Sequence, residues 1–292
     1  MTFASSLISF VIAVAAGAFG SVLGIGGGLF IIPSLNLFLG IKLKTAIAAS
    51  IVAVIATSLG GGNVYVRTQV ADIRLGLLLA LATVPGAVIG AVLATHINAR
   101  VLAAVFAAVL VASAYRMFAS TRSSRTPTPA EAERLTAEGR LRFRGSYYDA
   151  ASKEPVKYQV QRVPFGVGAS TVAGLISGLL GVGGGIVQVP VMNLVMKVPI
   201  KVATTTSTYI IGITAMAGAF VYYNSHDPQN HHLSYIDPAL AVPVTIGVFL
   251  GASLGSKLLG RLSQTALRNT FTVVLGLYAV QMVLRVLGIG GG

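Results

Sequence analysis

The sequence predicts an all-α polytopic membrane protein made of two inverted-topology repeats. Each repeat is expected to hold a helix pair broken at G-x-G-G-G, followed by three transmembrane helices. Composition is the first reason: 54% of the 292 residues are hydrophobic, only 10% are charged, and the mean hydropathy is +0.81. A globule with a solvated surface does not reach such values. The second is a series of apolar runs long enough, or nearly so, to cross about 30 Å of hydrocarbon. The third is an internal repeat, since sliding the chain by 157 positions without a gap aligns 17–65 with 174–222 and matches 16 of 49 positions.

The first half, 1–119, contributes apolar runs at 7–39, 45–62, 73–94 and 101–119. No Lys or Arg precedes Lys42 and no small-residue cleavage pattern follows the first run, so it is read as a membrane segment rather than a cleaved signal. Within it, LGIGGGLFIIPSLN (23–36) places Gly26, Gly27 and Gly28 in a row with Pro33 five residues on. Each interior glycine weakens a helix by about 1 kcal/mol relative to Ala, and proline removes a donor. The stretch is therefore expected to break the helix.

A polar connector, 120–163, follows. TPTPAEAERLTAEG suggests a short helix, while RLRFRGSYYD and PVKYQVQRV alternate like two strands of a hairpin. The second half, 164–292, repeats the pattern with runs at 164–196, 202–223, 236–258 and 266–287. Its own break is LGVGGGIVQVPVMN (180–193), with Gly183, Gly184, Gly185 and Pro190. The terminal GIGGG (288–292) has no assigned role.

Charge orients the chain. Nine of the 21 Lys and Arg residues lie in the connector, which the positive-inside rule puts in the cytoplasm, whereas 224–237 carries none and reads as external. Counting back, 202–223 starts inside, so 164–196 must enter and return, as a hairpin broken at GVGGG. The same grammar in the first half gives external ends, and the repeats are inverted. Lys42 and Lys44 then fall on the outside, against the charge bias. The net charge of +13 follows from loop-borne basic residues, and nucleic acid is not an expected partner; the lipid bilayer of the cytoplasmic membrane is.

Irregular backbone at membrane depth must be buried in protein or line a wet cavity. Glycines let the backbone turn and approach a ligand, and the short helix after each break presents N–H groups and a positive dipole end, so two such ends meeting would form an anion site. The spacing by four of Gly20, Gly24 and Gly28, and of Gly174 and Gly178, leaves open close helix packing as the glycines' use. After each break the matched residues Ala46, Ser50, Thr57 and Gly61, and Ala203, Ser207, Thr214 and Gly218, form one helical stripe. Such a stripe lines a path or packs helices. Lys44 and Lys201 open these helices, either attracting an anion or reaching to the interface. Asn36 and Asn193 either contact the ligand or bond between helices.

Five of the eight acids lie in the connector and Asp72, Asp227 and Asp237 lie in or beside loops, so no carboxylate is placed to hold a cation within a span. No cofactor is expected. His226, His231 and His232 with Asp227 are spaced too loosely to read as a metal site, the chain has no Cys, and no nucleophile and base pair marks an enzyme.

On these residues the chain resembles the TauE/SafE family of sulfite and organosulfonate exporters, whose two related membrane halves each open with G-x-G-G-G and a following proline. Gly24 to Gly28 with Pro33, Gly181 to Gly185 with Pro190, and the pairs Ala46 with Ser50 and Ala203 with Ser207 carry the likeness. The resemblance implies transport of a small sulfur-containing anion such as sulfite, sulfoacetate or thiosulfate. The residues alone also allow a passive anion channel or a non-transporting scaffold, and nothing in them sets an oligomeric state.

Overall fold

A computed structural model describes residues 3–67, 70–119, 144–149, 154–227 and 230–258, with Gly276 and Val280. The expected connector helix, the final apolar run at 266–287 and the terminal glycines lie outside these residues, apart from those two positions.

The first half runs α1 (Phe3–Leu23), α2 (Gly28–Phe38), α3 (Leu43–Arg67), α4 (Ile73–His96) and α5 (Ala99–Ala119). Strands β1 (Arg144–Asp149) and β2 (Glu154–Gln159) then pair antiparallel, Arg144 opposite Gln159 and Asp149 opposite Glu154. The second half runs α6 (Val163–Leu180), α7 (Gly185–Pro190), a π turn (Val191–Val195), α8 (Ile200–Asn224), the short antiparallel pair β3 (His226–Asp227) and β4 (Asn230–Ser234), and α9 (Pro238–Leu258). Among the described residues the sheets are confined to the two hairpins, and the structure is predominantly helical.

Among the described residues five helices are long and apolar enough to cross a membrane: α1 over Ser6–Leu23, α3 over Leu43–Tyr65, α4, α6, and α9 over Pro238–Lys257. Helix α8 is as long as α3 but carries Thr204, Thr205, Thr206, Ser207 and Thr208 in one run, and is not among the five. Large apolar side chains such as Leu81, Phe220 and Leu254 point outward, which suits a lipid rather than an aqueous surround.

The two prolines do not stop their helices. Pro33 lies inside α2, and Pro190 ends α7 only to continue into the π turn, where Met196 N–H reaches back five residues to Val191 O at 3.0 Å. Proline removes one donor, and local π geometry absorbs the mismatch.

Each half's first helix packs against the other half's fourth: α1 lies on α9, and α6 lies on α4. Small residues permit the backbones to touch. A methyl added at Gly247, Gly251 or Gly255 would overlap the carbonyls of Phe10, Val14 or Ala18, and one at Gly174 or Gly178 those of Thr83 or Ala87. Helices α3 and α8 pack against each other. The start of α3 meets the end of α4 through Lys44 and Thr95, while α4 runs alongside α8, Asp72 meeting Thr206 and Thr83 meeting Thr214. Hence α3 and α8 are antiparallel. One apolar core draws on both halves, including Leu29, Ile47, Val54, Leu180, Val182 and Ile211.

The β1–β2 hairpin sits on one end of this bundle. Tyr147 and Val160 pack with Leu75, Met192, Met196 and Val202, and Gln161 N–H donates to Met196 O at 2.9 Å. Tyr158 donates its hydroxyl to Asp72 Oδ2 at 3.0 Å, while Asp72 Oδ1 caps α4 by accepting from Leu75 N–H at 3.0 Å. Burial, and then the adjacent Asp72 carboxylate, push the Tyr158 hydroxyl above its ordinary value of 10.0.

Candidate functional site

Between α1 and α2 the backbone enters the left-handed region three times, at Gly24 (φ 68), Gly26 (φ 90) and Gly27 (φ 66). Between α6 and α7 it does so again at Gly181 (φ 66), Gly183 (φ 82) and Gly184 (φ 71). Side-chain-bearing residues rarely adopt such angles, so the glycines are required by the path of the chain. Gly27 and Gly184 occupy the cap positions of the helices that follow, where Ile31 N–H and Gln188 N–H return to their carbonyls at 3.2 and 3.1 Å.

These two segments face each other. A methyl on Gly28 would meet the Gly181 carbonyl, Ser50 Oγ and Val182 Cα, and one on Gly185 would meet the Gly24 carbonyl and Ile25 Cα. Two fully buried serines join them reciprocally. Ser50 Oγ donates to Gly181 O at 2.8 Å, and Ser207 Oγ donates to Gly24 O at 2.9 Å. Each hydroxyl therefore belongs to one half and satisfies a carbonyl in the break of the other, a group that could not be left unpaired in an apolar interior.

The remaining sequence-selected residues are spread more widely. Thr57 Oγ1 is 3.4 Å from Gly26 O and 3.2 Å from Ala53 O, so it touches the first break. Thr214 instead shares a 2.8 Å bond with Thr83 of α4 and reaches Ile210 O at 3.0 Å. Asn36 Nδ2 donates to Ile41 O at 2.7 Å and Asn193 Nδ2 to Val198 O at 2.9 Å, closing the loops at the far ends of the short helices. Lys44 Nζ donates to Thr95 O at 2.8 Å and lies 5.8 Å from the centre of the Tyr235 ring. Lys44 and Lys201 each precede their serine by six residues, about 9 Å of helix rise. Because α3 and α8 are antiparallel, the two lysines lie towards opposite ends of the bundle. The structure thus brings Gly26 to Gly28, Gly183 to Gly185, Ser50, Ser207 and Thr57 together, places Asn36, Asn193, Lys44 and Lys201 away from them, and pairs Thr214 with Thr83 of α4.

Two further features lie around this junction. Tyr65 and Tyr222, buried and 157 residues apart, donate to Ser21 O at 3.1 Å and Gly178 O at 3.2 Å, bracing the helix that precedes each break. Their match in the repeat was a visible signal. Gln188, one turn into α7, is 2% exposed, and neither its Nε2 nor its Oε1 has a hydrogen-bond partner among the described residues. The signal for it was a mismatch: the aligned position in the first half is Ile31.

The sulfite exporter TauE/SafE family profile matches residues 9–282. A probable membrane transporter protein of Bacillus subtilis (strain 168), YunE, is 27% identical over 286 residues, 96% of this chain and 97% of that protein. A probable membrane transporter protein of Methanocaldococcus jannaschii is 29% identical over 114 residues, covering 39% of this chain and 42% of its own. The probable membrane transporter protein MamO of Magnetospirillum gryphiswaldense is 25% identical over 114 residues, 39% of this chain and 18% of that one. No solved structure matches the chain. With the match running through both halves and both glycine segments, the chain belongs to the sulfite exporter TauE/SafE family.

Proposed function

We propose that this chain is a secondary transporter that exports a small sulfur-containing anion, of the sulfite, sulfoacetate or thiosulfate kind, across the cytoplasmic membrane. The anion is held between the two glycine-rich breaks, near the midplane. The observation that carries the reading is the reciprocal pair of bonds from Ser50 to Gly181 O and from Ser207 to Gly24 O, which hold two irregular backbone segments face to face inside an apolar bundle. Such segments are tolerated where they are buried in protein or line a site, and the first-turn amides of the helices that follow favour negative charge. The family's description and the names of the relatives support transport of this class.

The antiparallel course of α3 and α8 supports an inverted arrangement of the halves, with 120–163 in the cytoplasm and 224–237 outside. Under that arrangement Lys44 and Lys201 stand near opposite mouths, where each raises the local concentration of anions approaching from its side. Asn36 and Asn193 fix the loops leading to those mouths, and Thr57 and Thr214 flank the path. The negative-inside potential supplies about 2.3 kcal/mol per charge per 100 mV for export of an anion, without a carboxylate relay.

Counterflow of radiolabelled sulfite in proteoliposomes tests this. The native chain is expected to show saturable exchange, and Gly27→Val/Gly184→Val, which forces β-branched residues into left-handed backbone, is expected to lose it while still inserting. Unsaturable, conductive flux would replace the carrier with a channel. Exchange of none of the sulfur anions would leave a scaffold.

A further inference from the structure

The two breaks are alike in backbone but not in side chains. Position 31 in the first half is Ile and its counterpart 157 residues on is Gln188. Gly185 faces the opposite break, its missing Cβ pointing at Gly24 O and Ile25. Gln188 follows Gly185 by three residues in the same helix, so its side chain leaves α7 within about 60° of that direction, one turn deeper. It is 2% exposed, and both ends of its amide lack a partner among the described residues. The hydroxyls beside Gly24 are committed: Thr204 donates to Ile200 O of its own helix at 2.8 Å, and Ser207 donates to Gly24 O at 2.9 Å.

A buried amide with neither end paired is costly, and isoleucine fills the same place in the other half without that cost. Resting on the transporter reading above, we propose that Gln188 is a substrate-binding residue that selects a monoprotonated oxyanion. The amide offers two N–H donors at Nε2 and an acceptor at Oε1. A fully deprotonated oxyanion presents acceptors only; it satisfies Nε2 and sets a negative oxygen against Oε1. A singly protonated oxyanion, such as hydrogen sulfite, presents acceptor oxygens to Nε2 and its own proton to Oε1, so both ends are paired at once. Selection thus comes from the polarity of the amide rather than from net charge, and the glycine breaks supply the general affinity for anions. Discrimination is expected because a site built to pair a donor leaves its acceptor stranded when the donor is absent.

The test compares the native chain with Gln188→Ile, the residue of the matched position, and Gln188→Leu, using counterflow of radiolabelled sulfite below and above its second ionisation. Unlabelled sulfate serves as a competitor that stays a dianion throughout, and circular-dichroism melts check that each variant is folded. The native KM for total sulfite is expected to rise as the monoanion is depleted, with sulfate competing poorly. In both variants KM is expected to rise about tenfold at the lower pH and to lose its pH dependence, so that it approaches the inhibition constant of sulfate. A native chain that exchanges sulfite, with variants that keep its KM and pH profile, would overturn the role of Gln188 and leave the transporter reading standing. A native chain that exchanges no sulfite would overturn the role of Gln188, and one that exchanges neither sulfite, sulfoacetate nor thiosulfate would overturn both.

Discussion

Replacing Ser50 and Ser207 by Ala, singly and together, probes what holds the two breaks against each other. Each hydroxyl is 0% exposed and donates across the halves, at 2.8 Å to Gly181 O and 2.9 Å to Gly24 O. Removing a buried donor loses the bond and leaves a carbonyl desolvated, so each single variant should cost about 1–3 kcal/mol. The two bonds close one interface from opposite sides. Once one is gone the segments can part, and the second loss should cost less, giving a coupling of about 0.5–3 kcal/mol in the double-mutant cycle. Thr204→Val is the control, because the Thr204 hydroxyl donates to Ile200 O in its own helix at 2.8 Å and not across the halves, and its loss should be near neutral. The chain has no Trp, so circular-dichroism melts in detergent report the order of stability. Native-like melts for both serine variants, or strictly additive losses, would refute the argument that these hydroxyls jointly clamp the breaks.

Two other outcomes are expected. Lys197 adopts φ 58 where its counterpart in the first half is Gly40 at φ 63, so Lys197→Gly should stabilise by about 1 kcal/mol, read as a higher melting temperature. A fall would mean that the lysine side chain outweighs its backbone strain. Tyr158→Phe should loosen the hairpin from α4, read as faster limited proteolysis within 144–159 while the membrane helices stay intact. Because the Tyr158 hydroxyl titrates above its ordinary 10.0 when docked, its contribution is complete below that value. It is lost as pH rises through the raised folded-state value, so the native hairpin should become protease-sensitive only in strong alkali.

The helical class was legible because an apolar run of span length has few alternatives in lipid, and α1, α3, α4, α6 and α9 are long and apolar enough to cross. The strand readings at 140–149 and 155–163 overlap the paired segments Arg144–Asp149 and Glu154–Gln159, since alternation marks strands while hydrogen bonding decides their ends. Local rules overstated the prolines: a single missing N–H leaves Pro33 inside α2, because neighbouring residues keep the remaining ladder together. Partners distant in sequence were not legible. The repeat identified Ser50 and Ser207 but could not show that each reaches into the other half, 131 and 183 residues away. Lys44 read equally as an anion attractor or a snorkelling side chain, and only the fold brings Thr95 and Tyr235 to it. Gln188 is not legible from the repeat, because it stands where the two halves differ.

Equilibrium binding of radiolabelled sulfite to the purified chain, native against Gly28→Ala/Gly185→Ala, tests whether the anion sits between the breaks without presuming direction or driving force. The two methyls would enter the contact between the breaks, against the Gly181 and Gly24 carbonyls, at positions whose backbone is otherwise helical. Saturable binding is expected of the native chain, and its loss in a variant that retains native helicity. Undiminished binding in the variant would place the anion elsewhere and contradict the proposed site.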